Sequence, residues 1–301
     1  MVSVADAWEF HGRTVERPFA VRWSGRVWWF IRRKPLGAVG AFLVLVVLLA
    51  GLLAPWIAPY SYSEQNLRDK FQPPSRDHWM GTDELGRDIF TRILYGARVS
   101  IVIGFTVVVI SVTLAVALGI LTGYYGGWFD TLAQRGIDIW IAFPDLILLI
   151  TIIAVFGVGL PQLILALAIG RFAGSSRLQR GLVLSLKQNQ YIEAGRTVGA
   201  SDLRIMSRHL LPNLVPFILV SASIGLGGAI LAESSLSFLG LGVPPPNPTW
   251  GGMLNKGRSY ITIAPHMVVW PFIALAMAVF GFNVLGDALR DVLDPRLRGS
   301  R

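Results

Sequence analysis

The chain has 301 residues, of which 53% are apolar and 15% are charged, and its mean hydropathy is +0.56. Soluble domains carry about 25% charged residues, so much of this surface must face something other than water. A net charge of +9 would suggest nucleic acid for a soluble protein. Here the basic residues lie between long uncharged runs, so membrane orientation explains them better. Cysteine is absent, which excludes disulfides and thiol chemistry. We therefore predict an integral membrane protein in contact with lipid and without a nucleic-acid partner.

The N-terminal segment, residues 1–35, mixes aromatic and basic side chains between Arg22 and Lys34. This composition is typical of a helix lying in the cytoplasmic membrane interface. A simple aromatic and basic anchor at the membrane boundary explains it equally well. The apolar run that follows is longer than the h-region of a cleaved signal, about 7–15 residues, so we expect it to remain as a membrane helix.

Membrane helices are predicted from apolar runs of about 20 residues. Four such runs contain no Asp, Glu, Lys or Arg: 36–57, 99–129, 213–232 and 259–286. A further region, 139–170, holds only the charge of Asp145 and is too long for one helix. The sequence from Gly157 to Pro161 breaks it as a tight turn would. We interpret this region as a hairpin whose second helix continues past Arg171.

The distribution of Arg and Lys favours six spans over five. Basic residues accumulate on the cytoplasmic side of short loops. They are concentrated in residues 1–35, 171–213 and 287–301, and six spans place all three segments on the same side. The predicted organisation is a cytoplasmic N-terminal segment (1–35), a first membrane helix with an outer segment (36–98), a membrane domain (99–286) and a cytoplasmic tail (287–301).

Nucleotide chemistry has no visible site in the sequence. A P-loop requires Gly-Lys-[Ser/Thr], and none of the four lysines follows a glycine. The histidines are scattered, and no Gly-x-Ser-x-Gly turn supplies a nucleophile. The chain is therefore expected to be no enzyme and to bind no cofactor or metal, and a membrane enzyme is the least supported alternative.

The loop 171–213 is the most organised polar segment. Small residues lie between charges from Tyr191 to Ala200, and Ser201 with Asp202 supplies a capping-type start for a helix over 202–211, closed by Pro212. The pattern predicts two short helices that meet at Gly199 and Ala200. The alternative is an ordinary solvated basic loop, because runs of charge are usually hydrated.

The residues of this loop resemble the EAA loop of ABC-importer permeases. The family pattern is Glu-Ala-Ala-x3-Gly-x9-Ile-x-Leu-Pro, and this chain departs from it at Gly195, where Ala is usual, and at His209, where Ile is usual. Glycine at position 195 would loosen the first short helix by about 1 kcal/mol. The matching positions are Glu193, Ala194, Gly199, Leu211 and Pro212.

Two further stretches narrow the resemblance to the dipeptide/oligopeptide/nickel importer permeases. The outer segment from His78 to Phe90 looks like theirs, and so does the sequence from Ser235 to Gly242 with the prolines that follow. The ending from Gly286 to Pro295 fits the same group. Within it the chain most resembles the C-type permease.

The resemblance implies an all-α fold with six transmembrane helices, similar to type I ABC importers, in a bacterial or archaeal cytoplasmic membrane. It also implies a homologous B-type permease, two ATPase subunits that bind ATP and Mg, and an extracytoplasmic solute-binding protein as partners. The loop would dock on one ATPase and couple ATP hydrolysis to transport. The residues expected to form this coupling contact are Glu193, Ala194, Gly195, Gly199, Ala200, Asp202, Leu211 and Pro212.

Charges inside the membrane are the candidates for the substrate pathway, because they are costly there and usually face a cavity or a partner. They are Asp145, Arg171 and Glu233. Each of two acids has an alternative to a pathway role. Asp145 follows Pro144 and could cap a broken helix, and Glu233 could form a buried hydrogen bond to a neighbouring helix. The acids of the outer segment are expected either to contact the binding protein or to pair locally with Arg87 and Arg92.

A secondary transporter or channel remains the alternative function, and it would keep its coupling charges within the spans. The organised cytoplasmic loop favours the importer. The sequence leaves the cargo open among dipeptides, longer peptides, glutathione, a nickel chelate and other small solutes.

Overall fold

The computed structural model describes residues 31–293, which are helical apart from loops and one isolated bridge between Thr82 and Asp88. The helices within this range are α1 (Pro35–Ile57), α2 (Ile89–Tyr125), α3 (Gly127–Ile141), α4 (Asp145–Phe156), α5 (Leu160–Leu186), α6 (Gln190–Thr197), α7 (Asp202–Ile205), α8 (Leu211–Phe238), α9 (Trp250–Gly257) and α10 (His266–Leu293). The all-α class is thus confirmed. Most of the segment expected at the membrane interface, and most of the tail, lie outside the described residues.

Four of these helices are long and apolar enough to cross a membrane: α1, α2, the unit formed by α7 and α8, and α10. The pair α3 and α4 passes the same test together as a fifth, bent span. Helix α5 has 27 residues, about 40 Å at 1.5 Å per residue, but Arg171, Arg177 and Arg180 make it more polar. The apolar spans therefore number four or five, and the sixth crossing that the sequence predicts requires the more polar α5 to cross as well.

The hairpin expected over 139–170 is present, with one difference. Helix α4 ends at Phe156 and α5 begins at Leu160, so the predicted turn is confirmed, as is the continuation of the second helix past Arg171. The first arm is not one helix, because α3 and α4 meet at an angle of 91°. Pro144 stands immediately before α4, and the residue before a proline is disfavoured in the helical conformation, which explains the break.

Three predicted helix ends are wrong, each for a local reason. Helix α2 begins ten residues before position 99, because the Asp88 side chain accepts a hydrogen bond from Thr91 N at 2.8 Å and caps the helix there. It ends before 129, because Gly126 and Gly127 both adopt positive φ. Pro212 does not close a helix, since a π-turn over Met206–Leu210 joins α7 to α8 without a break.

The central core is formed by α1, α2, α4, α5, α8 and α10, with Trp250 of α9. Helices α1 and α10 approach so closely that a methyl group on Gly40 would lie 2.8 Å from the backbone nitrogen of Leu285. Lys34 at the start of α1 forms a salt bridge with Asp291 near the end of α10. Large apolar side chains stay exposed along the outside of the bundle, Leu36 and Phe42 of α1 among them, as expected of a lipid-facing surface.

The bundle has two distinct ends. Arg290, near the end of α10, lies beside Pro216, in the first turns of α8, so the start of α1, the short helices α6 and α7 and the end of α10 share one end. We call this the loop end. The opposite end carries residues 58–88 and the segment between α8 and α10. The segments predicted to be cytoplasmic are thus together at one end, as far as they are described.

Candidate functional site

The predicted coupling loop folds as a short-helix unit, residues 190–210, made of α6, a tight turn, α7 and the π-turn. The turn is a Schellman motif: Gly199 N bonds to Arg196 O at 2.9 Å and Ala200 N bonds to Gly195 O at 3.0 Å. Gly199 has φ +78°, a conformation that side-chain-bearing residues rarely adopt. The prediction that two short helices meet at Gly199 and Ala200 is therefore confirmed.

Helix α7 starts as the sequence indicates. The Ser201 side chain accepts a hydrogen bond from Arg204 N at 3.4 Å and caps the helix. Helix α7 is a single turn that continues through the π-turn into α8, so its position depends on that connection and on packing.

A buried apolar cluster supplies that packing. Ile192 of α6 and Ile205 of α7 are 1% and 0% exposed, and they pack with Tyr124 of α2 and Val183 of α5. Leu210 and Leu214 continue the cluster into α8. The short-helix unit is consequently fixed to three membrane helices by its buried face.

Tyr124 also anchors the unit through polar contacts. Its hydroxyl donates a hydrogen bond to Asp202 Oδ1 at 2.6 Å. The guanidinium of Arg196 lies 5.3 Å from the centre of the Tyr124 ring, within the range of a cation–π contact. Lys187, at the end of α5, donates to the backbone oxygen of Tyr124. The last turn of α2 therefore holds both short helices.

The opposite face of the unit is free. Val198 and Leu203 are 83% and 73% exposed, and they flank Gly199, next to which there is open space. Glu193 and Ala194 are exposed on the same unit. These two are the most exposed large aliphatic side chains of the unit, so its tip presents apolar surface.

The other residues predicted for the coupling contact differ in exposure and in their distance from the tip of the unit. Gly195 and Ala200 are half-buried, and Ala200 packs against the apolar cluster. Asp202 is exposed but bonded to Tyr124. Leu211 and Pro212 are exposed in the first turn of α8, away from the tip.

The intramembrane charges do not form one cluster. Asp145 is exposed in the first turn of α4, where no capping hydrogen bond from a side chain is formed. Arg171 lies in the middle of α5 and attracts Asp145 electrostatically without an ion pair closer than 4 Å. Its guanidinium rests on α8, so that methyl groups on Gly225 and Gly228 would lie 2.8 Å and 3.0 Å from its Nη2 and Nη1.

Glu233 is fully buried near the far end of α8. Its carboxylate accepts hydrogen bonds from three hydroxyls, those of Ser237 at 2.7 Å, Ser234 at 3.2 Å and Ser100 of α2 at 3.4 Å. This arrangement matches the alternative that the sequence left open, a hydrogen bond to a neighbouring helix. A buried polar group of this kind is satisfied by the protein and needs no solute.

The outer segment pairs its charges locally. Asp83 accepts from Arg87 Nε at 2.6 Å and lies 3.6 Å from Arg92 Nε, while Arg87 also reaches Glu84 at 3.0 Å. The other oxygen of Glu84 is buried without a hydrogen-bond partner. It borders a cavity of about 490 Å³ that Lys256 also lines, and the turn 244–246 forms part of the wall. Local pairing, one of the two alternatives, therefore accounts for Arg87 and Arg92.

Tyr124, Val198 and Leu203 are candidate functional residues that the sequence reasoning missed. Tyr124 stands 78 positions from its partner Asp202, and nothing in the spacing joins them. Val198 and Leu203 lie on either side of the predicted meeting point at Gly199 and Ala200. Their aliphatic side chains within a polar loop were the sequence signal that could have identified them. No group of three or more His, Asp or Glu side chains within residues 31–293 is arranged to hold a metal ion.

Comparison with known proteins agrees with this architecture. Residues 115–299 match the family described as "Binding-protein-dependent transport system inner membrane component". Residues 22–74 match the "N-terminal TM domain of oligopeptide transport permease C".

Two relatives carry the name "Glutathione transport system permease protein GsiD". The protein of Escherichia coli O1:K1 is 44% identical over 276 residues, which cover 90% of both chains. That of Pectobacterium atrosepticum is 42% identical over 287 residues, 94% of this chain and 95% of the relative. An inward-facing structure of the MetNI methionine ABC transporter shares the fold, with a TM-score of 0.55 and 20% identity over 67% of this chain and 96% of that one.

The matched proteins are permeases of ABC transport systems. None of the reported matches is a secondary transporter or a channel. The C-type assignment also follows, because the N-terminal match is to permease C. Proteins of this kind are transport subunits without catalytic activity. The chain belongs to the binding-protein-dependent transport system inner membrane components, as a multi-pass permease subunit of an ABC importer.

Proposed function

We propose that the chain forms one half of the pathway of an ATP-driven importer in a bacterial or archaeal cytoplasmic membrane. Its partners are a homologous B-type permease, two ATPase subunits that carry ATP and Mg, and an extracytoplasmic solute-binding protein. The loop end faces the cytoplasm, where residues 1–35 and 287–301 are also expected, and the parts of residues 58–98 and 236–264 outside the membrane helices face outward. The short-helix unit contacts an ATPase subunit.

The observation that carries this proposal is the two-faced construction of the short-helix unit. Its buried face is anchored through Ile192 and Ile205, while its tip presents exposed Val198 and Leu203. A solvated basic loop would need neither the anchoring cluster nor the structured turn at Gly199. Exposing two large aliphatic side chains is unfavourable unless a partner removes them from water.

Coupling follows from the connection between the unit and the bundle. Helix α7, the π-turn and α8 are continuous over 37 residues from Asp202 to Phe238. A displacement of the tip when the ATPases close would therefore move α8 as a body. Such alternating access is a rigid-body change between two states that nucleotide biases.

The pathway is proposed to run beside Arg171 and Asp145, whereas Glu233 has a structural role. The relatives named for glutathione transport suggest a small peptide-like solute as cargo. Dipeptides, longer peptides and a nickel chelate are the competing cargoes. Competition of each, in excess, with labelled S-methylglutathione for uptake would rank them.

Uptake by the complete complex tests the energy source. Uptake should stop when ATP is depleted although the proton gradient persists, and it should continue when the gradient is collapsed with ATP present. The reverse result would favour the secondary transporter. ATPase activity in a preparation of the permease pair alone would also contradict the proposal.

Substitution of Gly199 tests the coupling contact. We expect Gly199→Trp to insert and pair with its partner permease but to lose ATP-driven uptake, because the bulky ring separates the tip from the ATPase. Positive φ at this position penalises any side chain, so Gly199→Ala is the control for backbone strain alone, and Gly199→Asn for a residue that tolerates this conformation. Normal uptake by Gly199→Trp with its ATPases attached would refute the assigned role.

A further inference from the structure

The loop-end half of the bundle contains an apolar groove of about 380 Å³ between α5, α8 and α10. Leu178 and Leu182 form one wall, and Phe217, Val220 and Ile224 form the other. Arg290 lies at the mouth of the groove, at the loop end, and none of the lining residues is acidic.

Arg171 lies deeper in the bundle, on the same face of α5 as the groove residue Leu178. It precedes Leu178 by seven residues, two helical turns or about 10 Å along the same face of α5. Gly228, against which its guanidinium rests, follows Ile224 by one turn on α8. The groove therefore runs from Arg290 along the faces of α5 and α8 that carry Arg171 and Gly228 further in, although Arg171 is not itself one of its lining residues.

The guanidinium of Arg171 forms no close ion pair within the described residues. Asp145 attracts it only from more than 4 Å away, and its Nε is buried without a hydrogen-bond partner. A charged group within a membrane helix is costly, so an arginine without a close anion in its own chain is expected to face a cavity or a partner.

We propose that Arg171 binds a carboxylate group of the cargo in transit and that the groove toward Arg290 is the exit path. The planar guanidinium matches a carboxylate with two parallel hydrogen bonds, which favours an anionic or zwitterionic solute over a cation. This proposal rests on the importer function and adds the chemical class of the cargo to it. The competing occupant is an acidic side chain of the homologous permease.

Chemical modification of the complete complex tests accessibility. Phenylglyoxal reacts with exposed arginines, and mass spectrometry reads each modified peptide separately. Arg171 should react in the nucleotide-free complex, and S-methylglutathione should slow the reaction, whereas its diamide, which lacks the carboxylates, should not. Arg177 of the same helix, half-exposed and paired with Asp138, is the internal control and should react alike under all conditions. An unreactive Arg171, or one that the diamide protects equally, would overturn the proposal in favour of a buried partner acid.

Restoring the charge tests function. The chain has no cysteine, so Arg171→Cys introduces a single thiol into it, and the wild-type chain with the same partners controls for their cysteines. Arg171→Cys should lower uptake of S-methylglutathione at least about tenfold, as expected for the loss of a charged hydrogen bond. Alkylation with 2-bromoethylamine, which restores a cation, should recover most of the uptake, while iodoacetamide and iodoacetate should not.

The outcomes separate this inference from the importer function. If Arg171→Cys transports normally, or if all three alkylations give equal uptake, the carboxylate site is wrong although ATP-driven uptake persists. If the wild-type complex itself shows no ATP-driven uptake, the importer function fails instead. Arg177→Cys should transport within about twofold of wild type with every reagent, since an exposed ion pair contributes little.

Discussion

Substitution by alanine at Ile205 and at Leu203 tests the buried and the exposed face of the short-helix unit separately. Both are aliphatic residues of α7, yet Ile205 is 0% exposed and Leu203 is 73% exposed. Ile205→Ala removes buried methyl groups from the cluster that holds the unit. Substitutions of this kind cost about 2–5 kcal/mol, depending on how far the site collapses. Leu203→Ala should change stability by no more than about 0.5 kcal/mol.

The effect on the unit can be expressed as hydrogen exchange. If the unit opens locally, 2–5 kcal/mol corresponds to exchange that is faster by about 30-fold to several-thousand-fold, because 1.4 kcal/mol is a factor of ten. The Ala200 amide, bonded to Gly195 O in the turn, reports the opening directly. The assay is amide exchange of the permease pair in lipid nanodiscs, resolved by peptide. The far half of α8 provides the reference and should be unchanged.

Binding of the ATPase subunits should instead be weakened by the change at the exposed residue, Leu203. Leu203→Ala should exchange like wild type but retain less ATPase subunit on purification, because its exposed side chain is part of the proposed docking tip. Ile205→Ala should show fast exchange in 190–210 even without the ATPases. Unchanged exchange in Ile205→Ala would refute anchoring by the apolar cluster. Equal loosening in Leu203→Ala would refute the assignment of buried and exposed faces.

Three further changes test other parts of the structure. Asp88→Ala should lower stability by more than the ~1 kcal/mol of a helix cap, because Asp88 also bonds His78 Nδ1 at 3.0 Å in a buried position, and Asp88→Asn should lose less, as thermal unfolding of the purified chain would show. Glu233→Gln should transport nearly as wild type, because an amide oxygen can still accept from the serine hydroxyls; a large loss of uptake would return Glu233 to the pathway. Ser201→Cys should resist an impermeant thiol reagent added outside sealed cells, and labelling there would contradict the proposed orientation.

The sequence predicts the helices well because hydrophobic length dominates their formation in a membrane. It fails where one side chain or a backbone geometry decides the boundary. The apolar run starting at Val99 gives no sign that Asp88 caps the same helix eleven residues earlier. Pro212 predicts a helix end, but the π-turn just before it, in which Leu211 N bonds to Met206 O, lets the helix continue past the proline.

The candidate site was predicted in part for a similar reason. The short helices and their meeting point at Gly199 follow from local sequence, since a Schellman turn involves residues close in the chain. The contact of Tyr124 with Asp202 joins distant segments and required the fold. The lack of a close ion pair at Arg171 also required the fold, which places its guanidinium against Gly225 and Gly228 of α8 rather than against an acid.

The connection between α7 and α8 supports the coupling role proposed for the short-helix unit. A flexible linker at this point would let the tip move without moving the bundle, and the free energy of ATPase closure would be lost. Instead the chain remains helical from Asp202 to Phe238, through a wider π-turn and past Pro212. The same helix presents Leu203 to the proposed ATPase surface and Gly228 to Arg171. One rigid element thus touches both the proposed energy input and the proposed cargo site, and a shift of α8 relative to α5 would change the environment of Arg171 directly.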